Sequence, residues 1–121
     1  MARLEIKNNE LVINVQGKRK LLALKSEITV PLSNIEAISA EAPTWKDMPN
    51  GFEKRKGANL PGVYFGGTFV QDDNRLFYDL ARKEDALTIT LKDEDFKQII
   101  IGVEDPAKAV ELIEGYIESS K

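Results

Sequence analysis

Apolar side chains recur at every second position through most of this chain, and the period changes only near its C-terminal end. Leu87, Ile89 and Leu91 alternate with two threonines, which is the pattern of a strand with one buried face. A chain dominated by this period cannot fold as a helical bundle, so we predict a mainly β protein. The predicted strands lie within residues 4–6, 11–15, 28–32, 35–41, 63–70, 75–80, 87–91 and 99–103.

Residues with special backbone preferences separate these strands. Asn8-Asn9 predicts a tight hairpin turn, because asparagine tolerates the left-handed conformation that such turns require. Pro31 lacks a backbone donor, so its strand is expected to lie at a sheet edge or to stop there. Gly66-Gly67 inside a strand suggests a bulge. The acidic pairs and triplets at 72–73 and 93–95 fit turn geometry better than a cation site.

A single helix is predicted after the last strand. Asp105-Pro106 reads as an N-cap followed by the first helical residue, where the missing proline N–H costs nothing. One apolar stripe then runs down the helix to about Glu118. Gly115 weakens this helix by about 1 kcal/mol relative to alanine, so we expect a close contact there. The stripe consists of Ala109, Leu112/Ile113 and Tyr116/Ile117.

The order of elements predicts one domain over residues 1–121. It comprises a bent antiparallel sheet or partial barrel of about seven to eight strands, capped by one C-terminal α-helix. Residues 18–25 fit either a short helix or a strand. Residues 42–61 are predicted to form a long irregular loop, since they hold three prolines and two glycines.

Composition excludes several kinds of chemistry. The 121 residues include neither cysteine nor histidine, which removes thiolate catalysis, disulfides, imidazole bases and the usual zinc sites. Catalysis would have to rest on Asp, Glu, Lys, Tyr or Ser, as in a small acid–base enzyme, but no paired titratable groups stand beside a nucleophile at a recognisable spacing. We therefore expect no cofactor, no metal and no catalytic residues. The formal net charge of −3 makes nucleic acid an unfavourable partner. The chain has no apolar run of membrane-spanning length and no signal-peptide pattern, so a cytoplasmic protein is expected.

The order of several short motifs resembles the pleckstrin-homology-like superfold, and more narrowly the small stand-alone bacterial PH-like domains. The resemblance extends over most of residues 27–118. It implies a bent antiparallel sheet with one C-terminal helix, and a binding or scaffolding role without known chemistry. The motifs are Val30-Pro31-Leu32-Ser33-Asn34-Ile35, Leu60-Pro61-Gly62, Gly66-Gly67-Thr68-Phe69, Phe77-Tyr78-Asp79 and Val103-Glu104-Asp105-Pro106.

The phosphoinositide function of eukaryotic PH domains does not carry over. Those domains use a basic loop between their first two strands, whereas the matching segment here is Lys7-Asn8-Asn9-Glu10, with one cation and one acid. No residue is therefore transferred for lipid binding.

The predicted loop holds the candidate binding residues. Lys54, Arg55 and Lys56, with Lys46 upstream, could bind a phosphate group or an acidic protein segment, or could belong to a solvated loop that nearby acids neutralise. Trp45 could anchor a partner, or could fold back and pin the loop to the sheet.

The sequence thus predicts a non-enzymatic binding or interaction module, with a protein as its partner. Two alternatives remain. The first is self-association through exposed strand edges, because edges pair unless they are blocked. The second is binding of a small anionic ligand such as a phosphorylated headgroup at the basic triplet.

Overall fold

The structure is a computed structural model that describes residues 2–16, 27–41, 54–60, 64–71, 73–81 and 83–119. Side chains are described for all of these except residues 54–60 and 71. The segment 18–25, predicted as a short helix or a strand, lies outside the described residues.

The described residues form two sheets and one long helix, which confirms a mainly β chain. The first sheet has the order β1-β2-β3, and the second has the order β4-β8-β9-β7-β6-β5. Neither sheet closes into a barrel within the described ranges. The strands are β1 (Ala2–Lys7), β2 (Glu10–Val15), β3 (Glu27–Pro31), β4 (Ile35–Ser39), β5 (Lys54–Leu60), β6 (Tyr64–Gln71), β7 (Asn74–Ala81), β8 (Asp85–Leu91) and β9 (Gln98–Val103), and the helix is α1 (Pro106–Ser119).

The first hairpin has the predicted turn. Asn8 and Asn9 have φ values of 53° and 62°, so both occupy the left-handed region. Two such residues make the type I′ turn whose twist matches that of paired strands. This turn fixes the register of β1 on β2, in which Lys7 lies opposite Glu10 and Leu4 opposite Ile13.

Proline ends the third strand as expected. Pro31 is the last residue of β3, and β3 is the outer strand of its sheet among the described residues. A 3₁₀ turn (Leu32–Asn34) then leads the chain into the second sheet. The Leu32 N–H donates to the Asn9 carbonyl at 3.0 Å, which ties this crossing to the first turn.

The main core lies between the two sheets. Alternate residues of β1, β2 and β3 face one side of the second sheet, and α1 contacts β4, β8 and the 3₁₀ turn. Folding buries these side chains away from water, and the burial of each large one stabilises the fold by roughly 1.5–3 kcal/mol. The fully buried members include Leu11, Ile13, Val15, Phe77, Leu87, Ile89, Ile99, Ile101 and Ile113.

A second apolar cluster occupies the opposite face of the six-stranded sheet. It is built from residues of opposite parity in β6, β7, β8 and β9, so this sheet is apolar on both faces. Phe69 and Tyr78 pack edge to face, with ring centroids 5.4 Å apart. The cluster comprises Phe65, Phe69, Leu76, Tyr78, Leu80, Ala86 and Ile100.

One strand pair departs from the predicted antiparallel order. β9 lies between β7 and β8, parallel to β7 and antiparallel to β8. Where β7 and β8 separate to admit it, the Ala81 N–H donates to Glu84 Oε1 at 2.9 Å. A Cβ at Gly102 would overlap the same carboxylate, so the insertion of β9 requires glycine at that position.

The paired glycines of β6 do not form a bulge. β6 pairs without interruption with β5 and with β7. Gly66 is needed for another reason, because a Cβ there would overlap the ring of Tyr64. Gly67 has a φ of 120°, a conformation that other residues rarely adopt.

The predicted loop 42–61 is wrong for residues 54–60, which form β5 and pair with β6 along its length. Local sequence did not indicate this strand, since Lys-Arg-Lys-Gly-Ala-Asn-Leu shows no apolar alternation. Residues 42–53 and 61 lie outside the described residues.

The C-terminal helix begins where its cap predicts. Asp105 Oδ1 accepts a hydrogen bond from the Lys108 N–H at 3.1 Å, as an N-cap carboxylate should. Pro106 and Ile113 are its buried residues, and Ile113 is 1% exposed. Within the described residues, no helix is both long and apolar enough to cross a membrane.

Candidate functional site

The structure does not bring the sequence-predicted binding residues into one described site. Trp45 and Lys46 lie outside the described residues. Lys54, Arg55 and Lys56 open β5, and only their backbone is described. The anion site at this triplet therefore stays a prediction.

A different surface emerges on α1. The apolar stripe of this helix is two residues wide at each step, Leu112 with Ile113 and Tyr116 with Ile117. The inner member of each pair packs against the core. The outer members remain in water: Leu112 is 57% exposed and Tyr116 is 46% exposed. Successive residues of an α-helix are 100° apart, so the sheets cover only part of this wide stripe.

Leu112 and Tyr116 form a ridge with a hollow on each side. One hollow lies over the helix itself, beside Gly115. A Cβ built at Gly115 would meet no atom of the described residues within 4 Å, so the close contact predicted for this glycine is not found in this part of the chain. Within its own chain, Gly115 lowers helix propensity without allowing any tight packing.

The other hollow separates the ridge from β1. Leu4 and Ile6, both half-buried, form its floor. We call the surface made by Leu4, Ile6, Leu112 and Tyr116 the helix–strand groove. Its lining is mainly apolar and its two walls are regular elements, so its shape is set by the fold.

The open side of the groove is the outer edge of β1. Among the described residues, β1 is hydrogen-bonded as a strand to β2 alone, so its other edge is unpaired in this part of the chain. Its Ala2–Leu4 end also approaches the end of β9 and the segment that leads into α1. Arg3, Glu5 and Lys7 alternate along this strand and are exposed. The edge therefore presents charges of both signs beside an apolar floor.

The charged residues near the ends of α1 are placed unfavourably with respect to the helix dipole. Its first turn has no acidic residue and holds Lys108, and its last turn has no basic residue within the described part of the chain. A cation near a helix N-terminus is disfavoured by about 0.3–1 kcal/mol, although the Asp105 cap offsets this locally. Lys108 lines both hollows, so a carboxylate of a bound partner would be stabilised there.

A buried polar pair lies elsewhere, in the six-stranded sheet. The Tyr64 hydroxyl donates to Asp79 Oδ1 at 2.6 Å, and Asp79 is 0% exposed. A buried carboxylate needs such donors, because desolvation of an ion costs several kcal/mol. Since Asp79 has no exposure to solvent, we interpret this pair as part of the packing of the six-stranded sheet.

A shallow polar patch covers the outer end of the second cluster. It contains Thr88, whose hydroxyl donates to the Glu41 carbonyl at 3.1 Å, and Gln98, which donates to Thr90 Oγ1 at 3.1 Å. Desolvation raises the pKa of Tyr78 at its base. The side-chain donors of Thr88 and Gln98 are used within the chain, so this patch offers a ligand less than the groove does.

The described segments contain no group of three or more acidic residues placed to hold a metal ion. The arrangement best suited to binding is the helix–strand groove, where exposed apolar side chains adjoin an open strand edge.

Sequence reasoning missed this surface although a signal was present. The doubled apolar positions 112/113 and 116/117 were interpreted as one core-facing stripe. An apolar stripe two residues wide is broader than the strip of a helix that packs on a sheet. The extra apolar residues indicate that the helix contacts a second apolar surface.

In comparison with known proteins, no family model matches the chain, and no match was found among the curated proteins or the solved structures.

Proposed function

We propose that this chain is a non-enzymatic interaction module that binds a protein partner at the helix–strand groove. The exposed ridge of Leu112 and Tyr116 is the observation that carries the proposal. The described residues include no other large hydrophobic side chain with comparable exposure. Single exposed apolar residues are common, but these two adjoin one another above an apolar floor.

The chemistry of the groove favours a protein over a small polar ligand. Its floor and ridge are apolar, which favours burial of apolar side chains. The β1 edge supplies backbone donors and acceptors that an extended segment can pair with. Lys108 adds a positive charge at one end, which suits a carboxylate on the partner.

Site-specific photocrosslinking in the cells that produce the protein tests this function. A benzoylphenylalanine placed at Glu111, which is exposed and lines the hollow over Gly115, reports any protein that approaches the ridge. The same probe at Lys83, an exposed residue of the β7–β8 turn, is the control. We expect a discrete crosslinked product from position 111 that is absent at position 83.

The Leu112→Ser variant then links that product to the ridge. Because Leu112 is 57% exposed, its replacement removes little core packing and should leave the fold intact. We expect the position 111 product to disappear in this variant. Equal products from positions 111 and 83, or a product insensitive to Leu112→Ser, would exclude the groove as the binding surface.

We also propose a distant relationship to the PH-like superfold and a cytoplasmic location. A mainly β chain that ends in one helix supports the first, whereas the parallel pairing of β7 with β9 departs from a purely antiparallel sheet. The absence of cysteine supports the second, since it suits a reducing compartment.

A further inference from the structure

We infer that a second copy of this chain occupies the helix–strand groove, as a two-fold dimer in which β1 pairs antiparallel with β1 of that copy. This inference rests on the proposed interaction function and names the partner. It joins the open strand edge and the exposed ridge, which lie side by side, into one interface.

The first hairpin determines which backbone groups face outward from β1. Lys7 and Glu10 flank the two-residue turn, so they form a hydrogen-bonded pair, and hydrogen-bonded pairs recur at every second position along an antiparallel ladder. The N–H and C=O groups of Lys7, Glu5 and Arg3 thus point to β2. Those of Leu4 and Ile6, with Ala2, point to the open edge.

These directions restrict how two β1 strands can pair. Residues that face each other in a hydrogen-bonded pair must both direct their backbone groups outward, so Leu4 can lie opposite Ala2, Leu4 or Ile6 of the second copy. A register with Ile6 opposite Ile6 would place Leu4 opposite Asn8, beyond the end of β1, and would shorten the paired segment. A register that placed Leu4 opposite Glu5 would mismatch the backbone groups and put apolar side chains on the charged face.

Charge selects among the remaining registers. With Leu4 opposite Leu4, Arg3 faces Glu5 of the second copy, and the two-fold axis repeats this contact. With Leu4 opposite Ile6, Glu5 faces Glu5 and Arg3 faces Lys7 twice, which gives three contacts between like charges. With Leu4 opposite Ala2, Arg3 faces Arg3. Because cross-strand charge pairs stabilise a sheet when opposite and destabilise it when alike, the first register is favoured.

The same symmetry brings the two grooves together. A two-fold axis perpendicular to the joined sheet keeps both α1 helices on the same side of it, because Leu4 and Ile6 face the helix in each copy. It also reverses the direction of one helix relative to the other. The Leu112–Tyr116 ridges then flank the axis, where each can cover apolar surface of the other copy.

Reversed helices also suit the charges of α1. Lys108 lies in the first turn of a helix whose last turn has no basic residue in the described part of the chain. In an antiparallel arrangement, the N-terminal end of one helix, which holds Lys108, and the C-terminal end of the other lie on the same side. Lys108 is disfavoured by the dipole of its own helix, but the negative end of the second helix dipole stabilises its charge. A second copy of the chain therefore supplies a negative helix end close to Lys108.

Sedimentation of the purified protein, with a charge swap, tests the dimer. We expect a monomer–dimer equilibrium between about 10 μM and about 1 mM. Arg3→Glu replaces both Arg3–Glu5 contacts by like charges and should raise the dissociation constant about tenfold or more. The Arg3→Glu/Glu5→Arg double variant restores opposite charges and should recover dimerisation. Both residues are exposed, so neither change touches the core.

Lys83→Glu is the matched control, because it changes net charge by the same amount at an exposed turn. It should leave the dissociation constant within about twofold. A wild-type protein that stays monomeric, a double variant that does not recover, or a Lys83→Glu variant as weak as Arg3→Glu would each overturn the dimer. A monomer in vitro that still gives position 111 crosslinks to another protein would overturn the dimer and leave the interaction function standing.

Discussion

Replacement of Gly115 by alanine should make the protein more stable. Glycine in a helix interior costs about 0.5–1 kcal/mol relative to alanine, because its backbone has more freedom to lose on folding. A stabilising change is realised only where the new methyl group fits. At Gly115 it does among the described residues, since a Cβ there meets none of their atoms within 4 Å.

The expected gain is therefore close to the full propensity difference. Gly115 lies within α1, four residues before its last residue Ser119, so fraying at the helix end should reduce the gain only modestly. We expect Gly115→Ala to raise the free energy of unfolding by about 0.5–1 kcal/mol. For a domain of this size, that corresponds to about 2–5 °C in melting temperature.

Urea denaturation at low protein concentration measures this effect on the monomer. Glu114→Gly, at the neighbouring exposed position, should move the midpoint the opposite way by a similar amount. The slope of the transition should stay constant in both variants, since neither changes the surface exposed on unfolding. If Gly115→Ala lowered the stability, the new methyl group would be in steric conflict with other atoms. That result would contradict the open space described beside Gly115.

Three further changes test the core and its polar pair. Tyr64→Phe removes the donor to the buried Asp79 carboxylate and should destabilise the fold by about 1.5–3 kcal/mol in urea denaturation; a cost below about 0.5 kcal/mol would contradict the pair's role. Ile113→Ala should cost about 2–5 kcal/mol, since this side chain is 1% exposed, whereas an effect under about 1 kcal/mol would show that α1 does not seal the core. Burial raises the pKa of Tyr78, so the folded state disfavours the phenolate. The stability contributed by neutral Tyr78 is complete below the unfolded pKa of about 10 and is lost as the pH rises above it. Tyr78→Phe should therefore reduce the alkaline loss of stability, and an unchanged pH profile would argue against this cause.

The strands that local sequence could specify are those with one buried face or a distinctive turn. Leu87, Ile89 and Leu91 alternate cleanly, and they form β8 as predicted. Asn8-Asn9 sets the first hairpin through its own backbone preference. Asp105-Pro106 determines where α1 begins, for the same local reason. In each case the information lies within a few neighbouring residues.

The features that sequence missed depend on distant parts of the chain. β5 has no apolar alternation, and its strand conformation comes from pairing with β6. β9 lies between β7 and β8 because those strands separate near Glu84, a geometry that no local pattern encodes. The exposure of Leu112 follows from where the sheets end beneath α1. The anion site at Lys54–Lys56 stays a prediction. The groove was missed because a cluster of charges is easy to recognise in a sequence, whereas a helix stripe wider than its sheet can cover is not.

The exposed ridge also limits how strongly two copies can associate. Full burial of a leucine or tyrosine side chain contributes roughly 1.5–3 kcal/mol, and Leu112 and Tyr116 are already about half buried, so each offers about 1 kcal/mol more. Four such side chains across a two-fold axis barely match the smallest estimates of about 4 kcal/mol for lost translational and rotational freedom. The balance must therefore come from hydrogen bonds along β1 and from the Arg3–Glu5 contacts. A dimer built this way is weak and salt-sensitive, because exposed charge pairs are screened at high ionic strength. Raising the salt concentration should then shift the wild-type equilibrium toward monomer, whereas an interface held by the apolar ridge alone would tighten.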